Sequence, residues 1–265
     1  MEDIKILRMT VDETDDDSYY HLLVDGQHFK YISIESGSYD FDDLCFPPGL
    51  LSNLPQLLPG NWNLGHLAMS AETASPCFAW TTGKNFSSIE TTWHPTYVDF
   101  LSLKLGNMLL LNVYEATLSQ FVSPVIATFA RFPWEIGYYS NETLVYSWIE
   151  GHDIGPKFLG HITEEGRVIG FLLAKVEGRH AGINDLHHCR AAVSSLHRLG
   201  ICHGDLNRHN FLVSSSRAYL VDFEAARRTD DQQILDGELH DLGEQLRSKS
   251  RKGGSYAILP DSTAD

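Results

Sequence analysis

Basic residues are scarce in this chain. Its 265 residues include 20 lysines and arginines against 35 aspartates and glutamates, a formal net charge of −15. A surface of that sign repels phosphate backbones and anionic lipid, which argues against nonspecific binding to nucleic acid or to an acidic membrane. Cysteine is scarce as well. Cys45, Cys77, Cys189 and Cys202 show no CxxC pairing, so neither a disulfide framework nor a zinc-ribbon spacing is present. Cys189 and Cys202 stand among apolar residues and read as core thiols. No apolar run reaches the ~18 residues of a membrane-spanning helix, and the first residues do not form a secretory leader pattern. The expectation is a cytoplasmic protein, neither secreted nor membrane-spanning. There is no internal repeat. Thirteen histidines are scattered, and His187 and His188 fall on the polar side of a helix.

What is present supports a real core: 43% of residues are hydrophobic and 11% aromatic. Residues 1–60 are the least legible. Ile4 to Met9 reads as a strand, Asp12 to Asp17 as a solvated acidic turn. Tyr19–Val24 and His28–Ile34 read as a hairpin around Asp25-Gly26. Phe46-Pro47-Pro48-Gly49 reads as a break, with irregular chain continuing past Pro59-Gly60. Strands are expected over 101–111, 112–118 and 124–132, and Pro133 is placed at a helix start. A helix follows over 140–150, then a strand pair, 157–163 and 167–176, turning at Glu164-Glu165-Gly166. Residues 184–199 make the clearest helix: Leu186, Cys189, Val193, Leu196 and Leu199 recur every three or four positions, between an Asn184 cap and a Gly200 stop. One more helix is expected near 234–246, then a mobile Ser/Lys/Gly-rich tail.

That clear helix delivers the chain to residues 203–224, HGDLNRHNFLVSSSRAYLVDFE. Asp205 and Asn210 lie five apart on a polar loop, and Asp222 follows a short apolar strand, Ala218 to Val221. A carboxylate, an amide oxygen and a second carboxylate are hard oxygen ligands of the kind Mg²⁺ prefers, and phosphoryl transfer needs a group to orient a hydroxyl beside them.

The segment resembles the catalytic and metal-binding loops of the protein-kinase-like fold. Gly204 in HGD and Glu224 in DFE are more similar to its small-molecule branch: aminoglycoside phosphotransferases, choline kinases and lipopolysaccharide kinases. FARFPWEI, GPKFLGH and HGDLNRHNFLV also resemble a group of fungal kinase-like proteins. The resemblance implies an α+β, bilobal protein-kinase-like fold with a short, minimal C-lobe. Residues 1–100 would be an N-terminal extension packed on the N-lobe, 101–178 the N-lobe and hinge, and 179–265 the reduced C-lobe. It implies ATP and Mg²⁺ as cofactors, Asp205 as the catalytic residue, and Asn210 and Asp222 as metal ligands. Ala174 and Val176, in FLLAKVEG, would offer backbone to adenine. His203 would brace the loop.

Two departures stand out. Where the family ends its third strand in a phosphate-binding lysine, this chain has Thr128, and the matching helix glutamate, Glu142, lacks its partner. A threonine cannot neutralise phosphate charge. Lys104 is a candidate replacement, though it also reads as a strand-edge solubilising charge, and Arg131 is a weaker one. The nucleotide-covering loop has one glycine, Gly106, and so few bare backbone N–H groups for phosphate. No APE-like segment follows Glu224. Three readings follow: a phosphotransferase acting on a small or atypical acceptor, a kinase-like pseudoenzyme that binds nucleotide or a protein partner, and a kinase fold reused for other chemistry.

Overall fold

The computed structural model describes residues 3–11, 16–215 and 217–248. The tail from residue 249 and most of the acidic run Asp12–Asp17 lie outside the described residues. The chain divides into two compact units, Met1–Phe86 and Ser87–Asp265.

The first unit is a five-stranded sheet in sequence order: β1 (Ile4–Thr10), β2 (Ser18–Val24), β3 (His28–Ile34), β4 (Leu64–Met69) and β5 (Pro76–Thr82). The β2–β3 turn forms as expected, with Asp25 at φ +52° and Gly26 at φ +68°. Two positive φ values in succession make the primed turn that matches strand twist. Tyr20, Leu22, Val24, Ile32 and Ile34 alternate onto one face and bury themselves with Leu44, Leu50, Trp62 and Leu67. α1 (Phe41–Cys45) precedes the stretch expected to be irregular, and α2 (Pro47–Asn53) lies within it. Pro47 starts α2 rather than breaking the chain, because the first helical position has no use for the N–H that proline lacks. The parallel pairing of β3 with β4, Ile34 opposite Leu67, then closes over this crossover.

The second unit is built on a six-stranded sheet. Its members are β6 (Tyr97–Asp99), β7 (Lys104–Leu110), β8 (Val113–Thr117), β9 (Val125–Phe129), β10 (Phe158–Glu164) and β11 (Arg167–Ala174), in the order β6-β10-β11-β9-β8-β7. α3 (Ile136–Ile149) joins β9 to β10 after a 3-10 turn, Pro133–Glu135. β10 and β11 turn through Glu165 (φ +47°) and Gly166 (φ +85°), as the sequence leads one to expect. Phe129, Tyr146, Phe158 and Phe171 fill the interior.

Beyond β11 come β12 (Arg179–His180), α4 (Leu186–His197), β13 (Ile201–Cys202), β14 (Phe211–Ser214), β15 (Arg217–Leu220), β16 (Arg227–Arg228) and α5 (Gln232–Arg247). α4 buries Cys189, Val193 and Leu196 on the expected stripe. A 3-10 turn over Ile183–Asp185 precedes it, so Asn184 lies inside that turn rather than capping α4. Gly200, at φ +69°, ends the helical segment and turns the chain into β13. In all, the described residues form a mixed α+β structure with four sheets and five α-helices, compatible with a kinase-like fold. None of the described helices is long and apolar enough to cross a membrane.

Candidate active site

Short backbone pairings assemble the 203–224 segment. β13, just before His203, pairs with β16, just after the DFE turn, Cys202 opposite Arg227. Between them, Val221 makes two bridging bonds. Its N–H donates to the Asn210 carbonyl at 3.1 Å, and its carbonyl accepts from His203 Nε2 at 3.1 Å. The residue before Asp222 is thereby tied to both ends of the loop that holds Asp205. His203 is fully buried, and burial lowers its pKa, so the ring stays neutral and braces the loop.

Within the loop, Asn210 is buried and donates its amide N–H₂ to the Asp205 carbonyl at 2.8 Å. With the nitrogen committed there, its Oδ1 is the atom left to face a cation. Asn207 caps the 3-10 turn Arg208–Asn210, accepting from the His209 N–H at 2.8 Å, and reaches back to the Asp205 carboxylate at 3.3 Å. Gly204 stands at φ +82°, and a Cβ there would collide with the Ala225 carbonyl. The arginine that protein kinases carry at this position would not fit this backbone.

Two helices hold the segment from either side. On α5, Glu238 accepts from the His203 N–H at 3.2 Å, the Gly204 N–H at 2.6 Å and His197 Nε2 at 2.7 Å. Burial alone would raise its pKa, but these bonds outweigh that and hold it below the usual value. On α3, Asn141 donates to the carbonyls of Phe223, Glu224 and Ala226 at 3.3, 2.7 and 2.9 Å. Glu142 accepts from the Phe223 N–H at 3.5 Å, and the Tyr146 ring meets Phe223 edge-on at 5.3 Å. Glu238 and Asn141 escape sequence reading because their partners lie tens of residues away. A glutamate and an asparagine on amphipathic helices look like solvated side chains.

The electrostatics are one-sided. Glu142 is pushed up to about 8 by burial and by the Asp222 and Glu224 charges, against the bond from Phe223. Asp222 is raised by burial and by Asp205, despite an opposing effect of His203. Glu224 is raised by burial, Asp222 and Asp205. The carboxylates thus sense one another, and a divalent cation would relieve them. Asp222 also sits at φ +63°, a strained left-handed conformation for a non-glycine residue. Among the described residues no group of three His, Cys, Asp or Glu side chains is arranged to hold a metal. Oxygens of Asp222 and Asn210 nonetheless suit Mg²⁺, whose remaining positions are usually filled by phosphate and water.

The remaining expected residues divide. Thr128 is buried on β9 opposite Phe171, and the pair shares a face. Phe171 touches Tyr146, one helical turn past Glu142, so Thr128 belongs to the α3 side of the sheet. Lys104 lies exposed at the far end of edge strand β7, opposite Thr117. Thr128 is opposite Val113, whose β7 partner is Leu110, so the register separates Lys104 from that rung by roughly 20 Å of strand. Arg131 is engaged by Glu135 at 2.7 Å. Ala174 ends β11, and its N–H donates to Lys157 at 2.8 Å. Val176 follows in the unpaired stretch before β12, and Lys175 between them bonds Glu115 of β8 at 2.7 Å. The β7–β8 tip presents Met108 (55% exposed) and Leu111 (57%), apolar side chains where glycines would bare backbone N–H groups.

Residues 174–253 match the lipopolysaccharide kinase (Kdo/WaaP) family, a span that includes Ala174, Val176, Asp205, Asn210 and Asp222. A probable bifunctional tRNA threonylcarbamoyladenosine biosynthesis protein of Methanocorpusculum labreanum is 30% identical over 84 residues. That match covers 32% of this chain and 14% of the relative's own length. The two similarities support a kinase-like phosphotransferase.

Proposed function

We propose that the chain is an ATP- and Mg²⁺-dependent phosphotransferase acting on a hydroxyl of a small molecule or atypical acceptor. The observation that carries this is Val221, which ties the Asp205–Asn210 loop to Asp222. Asp205 accepts a hydrogen bond from the acceptor hydroxyl, orients it, and takes its proton late. In a loose transition state orientation counts for more than basicity. Asn210 Oδ1 and the Asp222 carboxylate hold the metal, which when bound neutralises the charge on the phosphates. Backbone groups of Ala174 and Val176 meet the adenine. Glu238 and Asn141 act through others: they fix the loop on which Asp205 and Asp222 ride. In this reading the second unit comprises an N-lobe to residue 178 and a short C-lobe beyond it.

A second reading, a nucleotide-binding pseudoenzyme, is favoured by buried Thr128 and the apolar β7–β8 tip. Calorimetric titration of the full chain with ATP, with and without Mg²⁺, tests the site. Mg²⁺-dependent binding that Asp222→Ala abolishes supports both readings, and measured phosphoryl transfer then selects the first. No binding by the wild-type chain overturns both.

A further inference from the structure

In a chain dominated by carboxylates, arginine and histidine gather beside the catalytic loop. β12 carries Arg179 and His180 and pairs with β14, His180 opposite Leu212. The next residue, Ala181, donates its N–H to the Arg208 carbonyl at 3.2 Å, which lays this strand against the turn between Asp205 and Asn210. The His180 and His209 rings meet edge to face, their centroids 5.2 Å apart.

The two arginines differ in their partners. Arg179 is committed to Asp185 through bonds of 2.7 and 2.8 Å. Arg208 has no carboxylate partner among the described residues, and its Nε is buried without an acceptor. A buried guanidinium N–H left unpaired is costly. With 35 acidic residues in the chain, a carboxylate could readily have evolved to pair with it. Arg208 is also only three residues from Asp205. The Arg208 terminal nitrogens likewise make no hydrogen bond or ion pair among the described residues, and an acceptor brought by a ligand would pair with them, three residues along the loop from Asp205.

We propose that Arg208, with His180 and His209, forms an anion subsite for a phosphate or carboxylate carried by the acceptor. The acceptor would then be a small hydroxyl compound bearing a second, anionic group. The Arg208 guanidinium and the exposed His180 imidazole supply N–H donors suited to an oxyanion, and His209 packs against His180; neutral sugars or alcohols would leave the guanidinium uncompensated. Only the word acceptor rests on the phosphotransferase reading; the anion site stands on its own geometry.

The test uses the full chain, with inorganic phosphate as the probe and the ring-proton resonances of His180 and His209 as the readout at constant neutral pH. Expected are saturable shifts of both rings that persist when a non-hydrolysable ATP analogue and Mg²⁺ are present. Arg208→Gln should weaken the phosphate affinity at least tenfold, and His180→Gln, at an exposed position, severalfold. Arg190→Gln, on the exposed face of α4, should leave it unchanged. Absence of saturable shifts, or equal affinity in Arg208→Gln, overturns the subsite. Displacement of phosphate by the ATP analogue assigns the anion to the nucleotide and overturns the acceptor. Phosphate binding by a chain that fails to bind Mg²⁺-ATP upholds the subsite and removes the phosphotransferase reading alone.

Discussion

In the proposed reaction, turnover depends most directly on Asp205. Asp205→Asn keeps the side-chain volume but loses the charged acceptor. Steady-state phosphoryl transfer should fall roughly 100- to 10,000-fold, with the thermal melt little changed. Gly204→Ala tests the backbone instead. Its Cβ meets the Ala225 carbonyl and its φ is +82°, so a loss of about 1–3 kcal/mol is expected in chemical denaturation. His161 is fully buried, and its Nε2 accepts from the His94 N–H at 3.2 Å. Burial, aided by His94, lowers its pKa from 6.5 to about 4. The unfolded chain therefore takes a proton first, and stability falls as pH drops from about 6.5 towards 4. The loss is on the order of 3 kcal/mol. Urea denaturation at neutral and acid pH should show a shallower decline in His161→Gln than in wild type. At this scale, one contiguous stretch could be read as a candidate site. Asp205, Asn210 and Asp222 lie within eighteen residues, and their spacing carries meaning without any tertiary contact. Glu238 was not legible, because its role exists only once α5 has folded against a loop more than thirty residues earlier.

Among the elements, α3 and α5 decide how firmly the site is held. Asn141→Ala removes the amide that donates to the carbonyls of Phe223, Glu224 and Ala226, of which Phe223 keeps the Ala226 N–H. Mg²⁺-ATP affinity should weaken about tenfold or more by calorimetry, since one charge-free buried bond is worth about 1 kcal/mol and several are lost together. Glu238→Gln removes the charge that two loop N–H groups share. It should cost about 1.5–3 kcal/mol of stability and lower turnover, without displacing the nucleotide. Strands with a turn signature, such as β2–β3 and β10–β11, could be read from their Asp-Gly and Glu-Gly dipeptides. α2 could not, because proline and glycine at a helix start look the same as proline and glycine in a loop. β4 and β5 were also missed. β5 lies at the sheet edge, and its alternation of half-buried and exposed positions breaks at Trp80, too short a run to mark a strand.

For the whole molecule, ligand linkage gives a further check. Mg²⁺-ATP at 100 times its Kd should stabilise the unit that starts at Ser87 by about 2.7 kcal/mol. Calorimetric scans should show that transition moving upward with nucleotide, while the core built on Tyr20, Leu22 and Ile32 melts where it did before. Equal shifts of every transition would tell against two independently cored units. The division at Phe86 and Ser87 left no mark in composition, since residues on both sides of it are similarly mixed in charge and polarity. The parallel pairing of β6 with β10 has a consequence in time. Thr163 Oγ1 reaches the Val98 carbonyl 65 residues earlier in the chain. On a ribosome adding about 5–20 residues per second, β6 waits roughly 3–13 s for its partner to be made. For that interval the nascent strand has open edges, and holdase capture or misassembly should concentrate there.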